Sequence, residues 1–135
     1  MQRVIVDAGP LIGWFDANDP CHAMVREFFE GYTGEFLSTW PVLGEVCHLL
    51  PERMVADFLR WVGRGGLTLV DVPASALSGV ADRIDKYADL PMSLADACLV
   101  RMSEILPDPV LLTTDPAFRI YRRLGRKTIP RAMPD

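Results

Sequence analysis

The feature that most constrains this chain is an alternation. Short apolar or β-branched runs recur along it, each followed by a longer segment with apolar residues at helical spacing. Val4-Ile5-Val6 ends at Asp7 and meets Gly9-Pro10, which predicts a strand feeding a helix. Residues 19 to 30 place Val25, Phe28 and Phe29 on one helical face, and Gly31 and Gly34 bracket the exit to a second extended run, Glu35 to Ser38. Pro41 opens a predicted helix with the stripe Val42, Glu45, Val46 and Leu49. Residues 52 to 62 repeat the pattern through Val55, Phe58, Leu59 and Val62 until Gly63, Gly65 and Gly66 stop it. Leu67 to Val72 reads as a strand, residues 74 to 87 as an amphipathic helix, and Ser93 to Leu106 as a strongly apolar helix bounded by Pro107 and Pro109. Val110 to Thr114 is the next strand. Asp115-Pro116 is expected to start a basic helix running to Gly125, with Thr128-Ile129 as a last short strand before a frayed tail. Strands alternating with helices imply an α/β domain whose mostly parallel sheet is covered on both faces. Such sheets place ligands outside the carboxyl ends of their strands, where Asp7 and Asp115 fall.

A chain of 135 residues, half of them apolar and 24% charged, has material for one core, so residues 1–135 are read as a single domain. No uncharged apolar run approaches the ~18 residues of a membrane span, and Asp7 interrupts the apolar start. A cytoplasmic protein without membrane contact is therefore expected. Cys21, Cys47 and Cys98 are odd in number and widely spaced, which favours reduced core thiols over a disulfide framework or a zinc site. The net charge of −4 argues against a general nucleic-acid coat, but it is unevenly spread. From residue 116 onward there are six basic residues (Arg119, Arg122, Arg123, Arg126, Lys127 and Arg131) and one acid, while the first 115 residues carry eight basic and seventeen acidic ones.

Four acids stand in unusual company. Glu45 shares a stripe with Val42, Val46 and Leu49, where an unpartnered carboxylate costs several kcal/mol to bury; a small rotation of the helix would move it to the edge of that face instead. Asp96 lies among Leu94, Ala95, Ala97, Cys98, Leu99 and Val100, yet Ser93-Leu94-Ala95-Asp96 also matches a capping box. Asp115 before Pro116, and Asp7 after its strand, are equally good N-caps. Taken singly, each acid has an ordinary structural explanation. Jointly, they fall at strand ends or helix starts that an α/β sheet gathers near one rim. Carboxylates converging there would repel one another unless a hard divalent cation neutralised them; magnesium suits such oxygen ligands, manganese is compatible, and zinc would more often recruit His or Cys.

Competing readings are weaker. His22 and His48 each neighbour a cysteine, but adjacent helical residues point about 100° apart and chelate poorly together. Trp14, Phe15, Phe28, Phe29, Phe58 and Trp61 suit core packing better than an exposed groove for a partner helix or a homodimer contact, although some apolar face could serve association. Asp7-Ala8-Gly9 lacks the second aspartate of haloacid-dehalogenase-like phosphotransferases. A response-regulator receiver would need paired acids near the first strand and a lysine after the last, whereas Lys86 and Lys127 are the only lysines.

At these acids the chain resembles the PIN-domain family, specifically the VapC-type toxins. The likeness is carried by Val4-Ile5-Val6-Asp7-Ala8-Gly9-Pro10-Leu11, by Pro41-Val42-Leu43-Gly44-Glu45, by Asp89-Leu90-Pro91-Met92-Ser93-Leu94-Ala95-Asp96-Ala97, and by Leu111-Leu112-Thr113-Thr114-Asp115-Pro116-Ala117-Phe118. Each phrase alone is weak; four in order over nearly the whole chain are a strong signal. Ala8 departs from the Ser or Thr that often follows the first acid. The resemblance implies a PIN-like three-layer α/β/α fold and Mg²⁺-dependent endoribonuclease activity, with Mn²⁺ as an alternative ion. It also implies inhibition by a cognate antitoxin, a homodimer, and RNA as substrate. Asp7, Glu45 and Asp96 would be the principal metal ligands and Asp115 a fourth, with Thr113 and Thr114 supplying supporting hydrogen bonds. The basic residues between 119 and 127 are candidate phosphate contacts, weighed against an ordinary solvated helix face. The alternative is a PIN-like binding module that has lost turnover.

Overall fold

The computed structural model describes residues 3–132; of the expected frayed tail, residues 133–135 lie outside them, while 130–132 are not frayed but pair with Leu111. Four strands build the central sheet: β1 (Val4–Val6), β2 (Phe36–Ser38), β3 (Thr68–Leu69) and β4 (Val110–Leu112). Their order is β3-β2-β1-β4 and every pairing is parallel, with Val4 opposite both Phe36 and Val110. A parallel sheet is covered on both faces, so its middle strand must be apolar in consecutive positions rather than alternate ones. Val4, Ile5 and Val6 are accordingly all buried, as are Leu111 and Leu112 beside them. Truncating one of these side chains, as in Leu112→Ala, is expected to cost about 2–5 kcal/mol.

Six α-helices flank the sheet: α1 (Ala8–Phe15), α2 (His22–Gly31), α3 (Trp40–Leu49), α4 (Glu52–Trp61), α5 (Leu77–Lys86) and α6 (Leu94–Ile105). The architecture is the three-layer α/β/α arrangement of a PIN-like domain. The aromatic residues of α1, α2 and α4 pack on one another, with Trp14 stacked on Phe29 at 4.9 Å and Phe15 edge-on to Phe58 at 5.3 Å. They therefore serve mainly as core. α6 is the most enclosed helix, burying Ala95, Ala97, Cys98, Leu99, Val100, Met102 and Ser103. Among the described residues, no helix is long and apolar enough to cross a membrane.

Three expectations are corrected. Leu49 is 58% exposed, and the buried stripe of α3 is Val42, Leu43 and Val46 with Leu50 just beyond the helix. The strand expected over residues 67–72 is ladder-paired only at Thr68 and Leu69, because β3 is an edge strand with a single partner. The expected basic helix does not form: Pro116–Arg119 makes one 3-10 turn, and the chain then folds into a hairpin of β5 (Arg122–Arg123) and β6 (Lys127–Thr128). Leu124 and Gly125 reverse that hairpin with positive φ of 53° and 79°, a conformation in which a helix cannot continue. After the hairpin, Ala132 donates to the Leu111 carbonyl at 3.0 Å and Leu111 donates to Pro130 at 2.8 Å, which covers the outer edge of β4.

Candidate metal centre

β1 delivers Asp7 to the carboxyl edge of the sheet, at the N-cap of α1. Asp7 is the only one of the four candidate acids that is fully enclosed, at 6% exposure. Its Oδ1 accepts the Ala8 N–H at 2.7 Å, and its Oδ2 accepts the Thr113 hydroxyl at 2.7 Å. Gly9 leaves room for the β4 end of the site, since a Cβ there would stand 2.7 Å from Thr114 Oγ1. Burial pushes the Asp7 carboxyl up from 3.8 to about 7; the charges of Asp96 and Asp115 add to the rise, and the two hydrogen bonds oppose it.

Glu45 comes from the second turn of α3, which follows β2, and Asp96 from the first turn of α6. Asp96 completes the capping box legible in the sequence: its N–H donates to Ser93 Oγ at 3.0 Å and its Oδ2 accepts the Ser93 N–H at 3.2 Å. Capping is thus real, and it is compatible with a second use, because the bond to Ser93 leaves the other carboxylate oxygen uncommitted to the cap. Tyr121, fully buried, donates its hydroxyl to the Pro91 carbonyl at 3.1 Å and lies beside Asp96. Partial burial raises the Asp96 pKa, and Asp115 raises it further. Burial likewise raises Glu45, followed by the charges of Asp96 and Asp115. Glu45 Oε2 is buried with no hydrogen-bond partner, an arrangement that costs free energy unless a cation or solvent supplies one.

Asp115 is exposed at the end of β4 and caps the following turn by accepting the Ala117 N–H at 2.9 Å. It is tied inward through its own N–H, which donates to Thr113 Oγ1 at 3.0 Å.

The fold therefore brings all four predicted acids to one rim, where Asp7 and Glu45 both sense Asp96 and Asp115, and Asp96 senses Asp115. Among the described residues, however, no three His, Cys, Asp or Glu side chains are drawn close enough to form a metal coordination set by themselves. The donor chemistry fits a hard divalent cation: the oxygens are carboxylate, burial and then mutual repulsion raise the proton affinities of Asp7, Glu45 and Asp96, and one buried Glu45 oxygen lacks a partner. The cysteines lie elsewhere as free thiols. His22 Nδ1 is engaged by the Gly13 carbonyl at 2.6 Å, and His48 sits exposed near the end of α3.

Sequence reasoning missed Tyr121, which is 25 positions from Asp96 with no local pattern linking them. The basic segment is also less available than its composition suggests. Arg123 donates twice to the Ser103 carbonyl, at 3.0 and 2.7 Å, and Arg122 Nη1 donates to the carbonyls of Arg119, Ile120 and Tyr121.

A parallel sheet with four acids at its carboxyl rim, enclosed by helices in this order, defines a PIN-like domain. The chain is 28% identical over 116 residues to ribonuclease VapC26 of Mycobacterium tuberculosis, covering 83% of this chain and 86% of that protein. The crystal structure of Mycobacterium tuberculosis VapC20, described as a sarcin-ricin loop cleaving toxin, superposes with a TM-score of 0.60. That match has 16% identity over 70% of this chain and 75% of that one, a likeness that bears on the fold. No protein-family profile matches. In sequence the chain is thus similar to a VapC-type ribonuclease, and in fold to a VapC-type toxin.

Proposed function

We propose that this protein is a metal-dependent endoribonuclease, the toxin of a VapBC-type toxin–antitoxin pair. It would cut RNA phosphodiester bonds at the rim formed by Asp7, Glu45, Asp96 and Asp115, with Mg²⁺ as the working ion and Mn²⁺ as an effective substitute. The observation that carries the reading is a buried Asp7 carboxyl, held by the Ala8 N–H and the Thr113 hydroxyl and electrostatically coupled to Asp96 and Asp115. The likeness to a protein named a ribonuclease, and to one named an RNA-loop-cleaving toxin, supports the same chemistry.

A hard divalent cation, when bound, supplies a water nucleophile at neutral pH and positive charge against the phosphate and the departing oxygen. Everything else falls to the chain. Asp7 is oriented from both sides by the Ala8 N–H and the Thr113 hydroxyl. Asp96 is held by the Ser93 N–H, and Glu45 presents a buried oxygen with no other engagement. Asp7, Glu45 and Asp96 are the principal ligands, and Asp115, exposed at its cap, contributes as a fourth. Because no side-chain nucleophile is needed, the loss of any principal carboxylate should abolish turnover without unfolding the domain.

The partners in this reading are RNA, a cognate antitoxin protein and a second copy of the chain. For the homodimer the supporting feature is Trp40, 62% exposed at the start of α3 between two apolar depressions of about 430 and 450 Å³. Trp40→Lys should shift the sedimentation profile towards monomer; an unchanged profile would remove this face from the dimer.

The decisive assay incubates antitoxin-free protein with RNA in Mg²⁺, in Mn²⁺ and in chelator, with Asp7→Asn as the matched control. Cleavage is expected in either ion and should be absent with chelator or in the variant. Equal cleavage by Asp7→Asn would identify a contaminant and defeat the reading.

A further inference from the structure

We propose that the depression between α5 and the β5–β6 hairpin is a phosphate-binding subsite, holding a backbone phosphate of RNA that flanks the one cut at the acidic rim. The inference rests on the RNA-cleaving reading above and deepens it by assigning where an uncut part of the strand is held.

The depression has a volume of about 200 Å³, and its polar lining is Asp82, Arg83, Lys86, Tyr87 and Arg122. Arg83 is already spent, since its guanidinium pairs with Glu104 at 2.6 Å. Two cations, Lys86 and Arg122, then face one acid, Asp82. Among the described residues neither cation forms an ion pair, and both are anchored on neutral groups instead. Arg122 Nη1 donates to the carbonyls of Arg119, Ile120 and Tyr121 at 2.6, 3.0 and 3.2 Å. Lys86 Nζ lies 5.5 Å from the centre of the Tyr87 ring and donates to the Gly125 carbonyl at 3.3 Å. Carbonyls and a ring face orient a cation without cancelling its charge, whereas a carboxylate, as at Arg83, cancels it. Two cations positioned in this way in a concave site favour an anion, and guanidinium and ammonium groups both suit phosphate. The remainder of a chain with net charge −4 repels RNA, so uncancelled cations near the site weigh heavily in binding it.

Position ties the depression to the rim. Tyr87 forms its wall: the hydroxyl accepts the Arg122 N–H at 3.0 Å, and the ring meets Tyr121 edge-on at 5.0 Å. Tyr121 in turn donates to the Pro91 carbonyl at 3.1 Å, two residues before Ser93, the N-cap of the helix whose first turn carries Asp96. Two aromatic rings therefore separate the depression from the rim, a gap that a single RNA strand spans in a few nucleotides. Contacts of this kind fix the register of a strand without reading its sequence.

Lys86→Gln, Arg122→Gln, Lys86→Arg and Asp82→Asn would each be made on an Asp7→Asn background, so that RNA is not consumed, and compared by filter binding of a single-stranded RNA oligonucleotide across a salt series in Mg²⁺. Lys86→Gln and Arg122→Gln should each weaken binding and lower the salt slope by about one. Lys86→Arg should keep the parent slope, and Asp82→Asn, which removes the opposing charge, should tighten binding. With Asp7 intact, Lys86→Gln should raise KM for RNA several-fold and leave kcat and the half-saturating Mg²⁺ concentration unchanged. Arg122 also clamps the turn before the hairpin, so if Arg122→Gln does not fold, the exposed Lys86 decides the outcome alone. Lys86→Gln with an unchanged salt slope and KM, in a protein that cleaves RNA, would overturn the subsite and leave the nuclease reading standing. A wild-type protein that cleaves no RNA in Mg²⁺ or Mn²⁺ would overturn that reading, and the subsite with it.

Discussion

Thr113 donates its hydroxyl proton to Asp7 Oδ2 over 2.7 Å while Thr113 Oγ1 accepts the Asp115 N–H at 3.0 Å, so one side chain just past β4 ties the first acid to the fourth. Thr113→Val keeps the branched shape and removes both functions, leaving a buried Asp7 oxygen without its donor. The expected loss is about 1–3 kcal/mol of unfolding free energy in chelator at pH 8. Urea unfolding measures it, and unaltered stability would mean that the bond is replaced by water at no cost.

The buried Asp7 also predicts an inverted pH dependence. Its pKa is about 7 in the folded protein against 3.8 when unfolded, so between those values the folded state holds more protons. Stability from this group is therefore complete below about pH 4 and is lost as pH rises through about 7, on the order of a few kcal/mol in all. In chelator, wild type should resist urea better at pH 5.5 than at pH 8, and Asp7→Asn should flatten the difference. Saturating Mg²⁺ should restore stability preferentially at the higher pH, where the carboxylate is ionised. A wild-type profile in chelator that rises from pH 5.5 to 8 and is matched by Asp7→Asn would contradict this account.

Asp96 caps its helix and lies among like charges, and these roles give different signatures. Asp96→Asn retains an acceptor for the Ser93 N–H while removing repulsion with Glu45, Asp7 and Asp115. In chelator the variant should melt at or above the wild-type temperature, with the Mg²⁺-induced rise largely gone and cleavage abolished. Equal Mg²⁺-induced shifts in both proteins would remove Asp96 from the metal set.

Within the basic segment, position decides role. Arg123 is committed to the Ser103 carbonyl, whereas Arg126 and Lys127 lie exposed at the hairpin turn. Arg123→Gln should lower stability by about 1–3 kcal/mol and leave the salt dependence of RNA binding by the folded protein intact. Neutralising Arg126 and Lys127 together should reduce that salt slope by about two. Filter binding across a salt series distinguishes them; a slope that responds only to Arg123→Gln would reverse the assignment.

Much of this architecture was legible before any coordinates. Val4-Ile5-Val6 announces a strand buried on both faces because a parallel sheet leaves no solvent side for alternation. The order of acids places Asp7 and Asp115 at strand ends, and Ser93-Leu94-Ala95-Asp96 encodes a capping box because its partners lie within one helical turn. Local chemistry of this range is written in consecutive residues.

Tertiary structure decided what depends on distant partners. Residues 116 to 125 have the composition of a basic helix, but the Arg123 guanidinium finds the Ser103 carbonyl, Glu104 accepts the Leu124 N–H at 2.6 Å, and the chain turns into a hairpin against α6. Leu49 fits the helical stripe by spacing, yet the last turn of α3 leaves it in solvent, since the sequence period does not say how far the covering layer extends. Tyr121 over the Pro91 carbonyl and Thr113 between Asp7 and Asp115 belong to the same category. The sequence by itself determined which acids were present and which elements carried them. The burial, coupling and raised proton affinity of Asp7, Glu45 and Asp96 exist only once the strands and helices carrying them converge, because desolvation and Coulomb repulsion depend on distances through space, which spacing along the chain does not set.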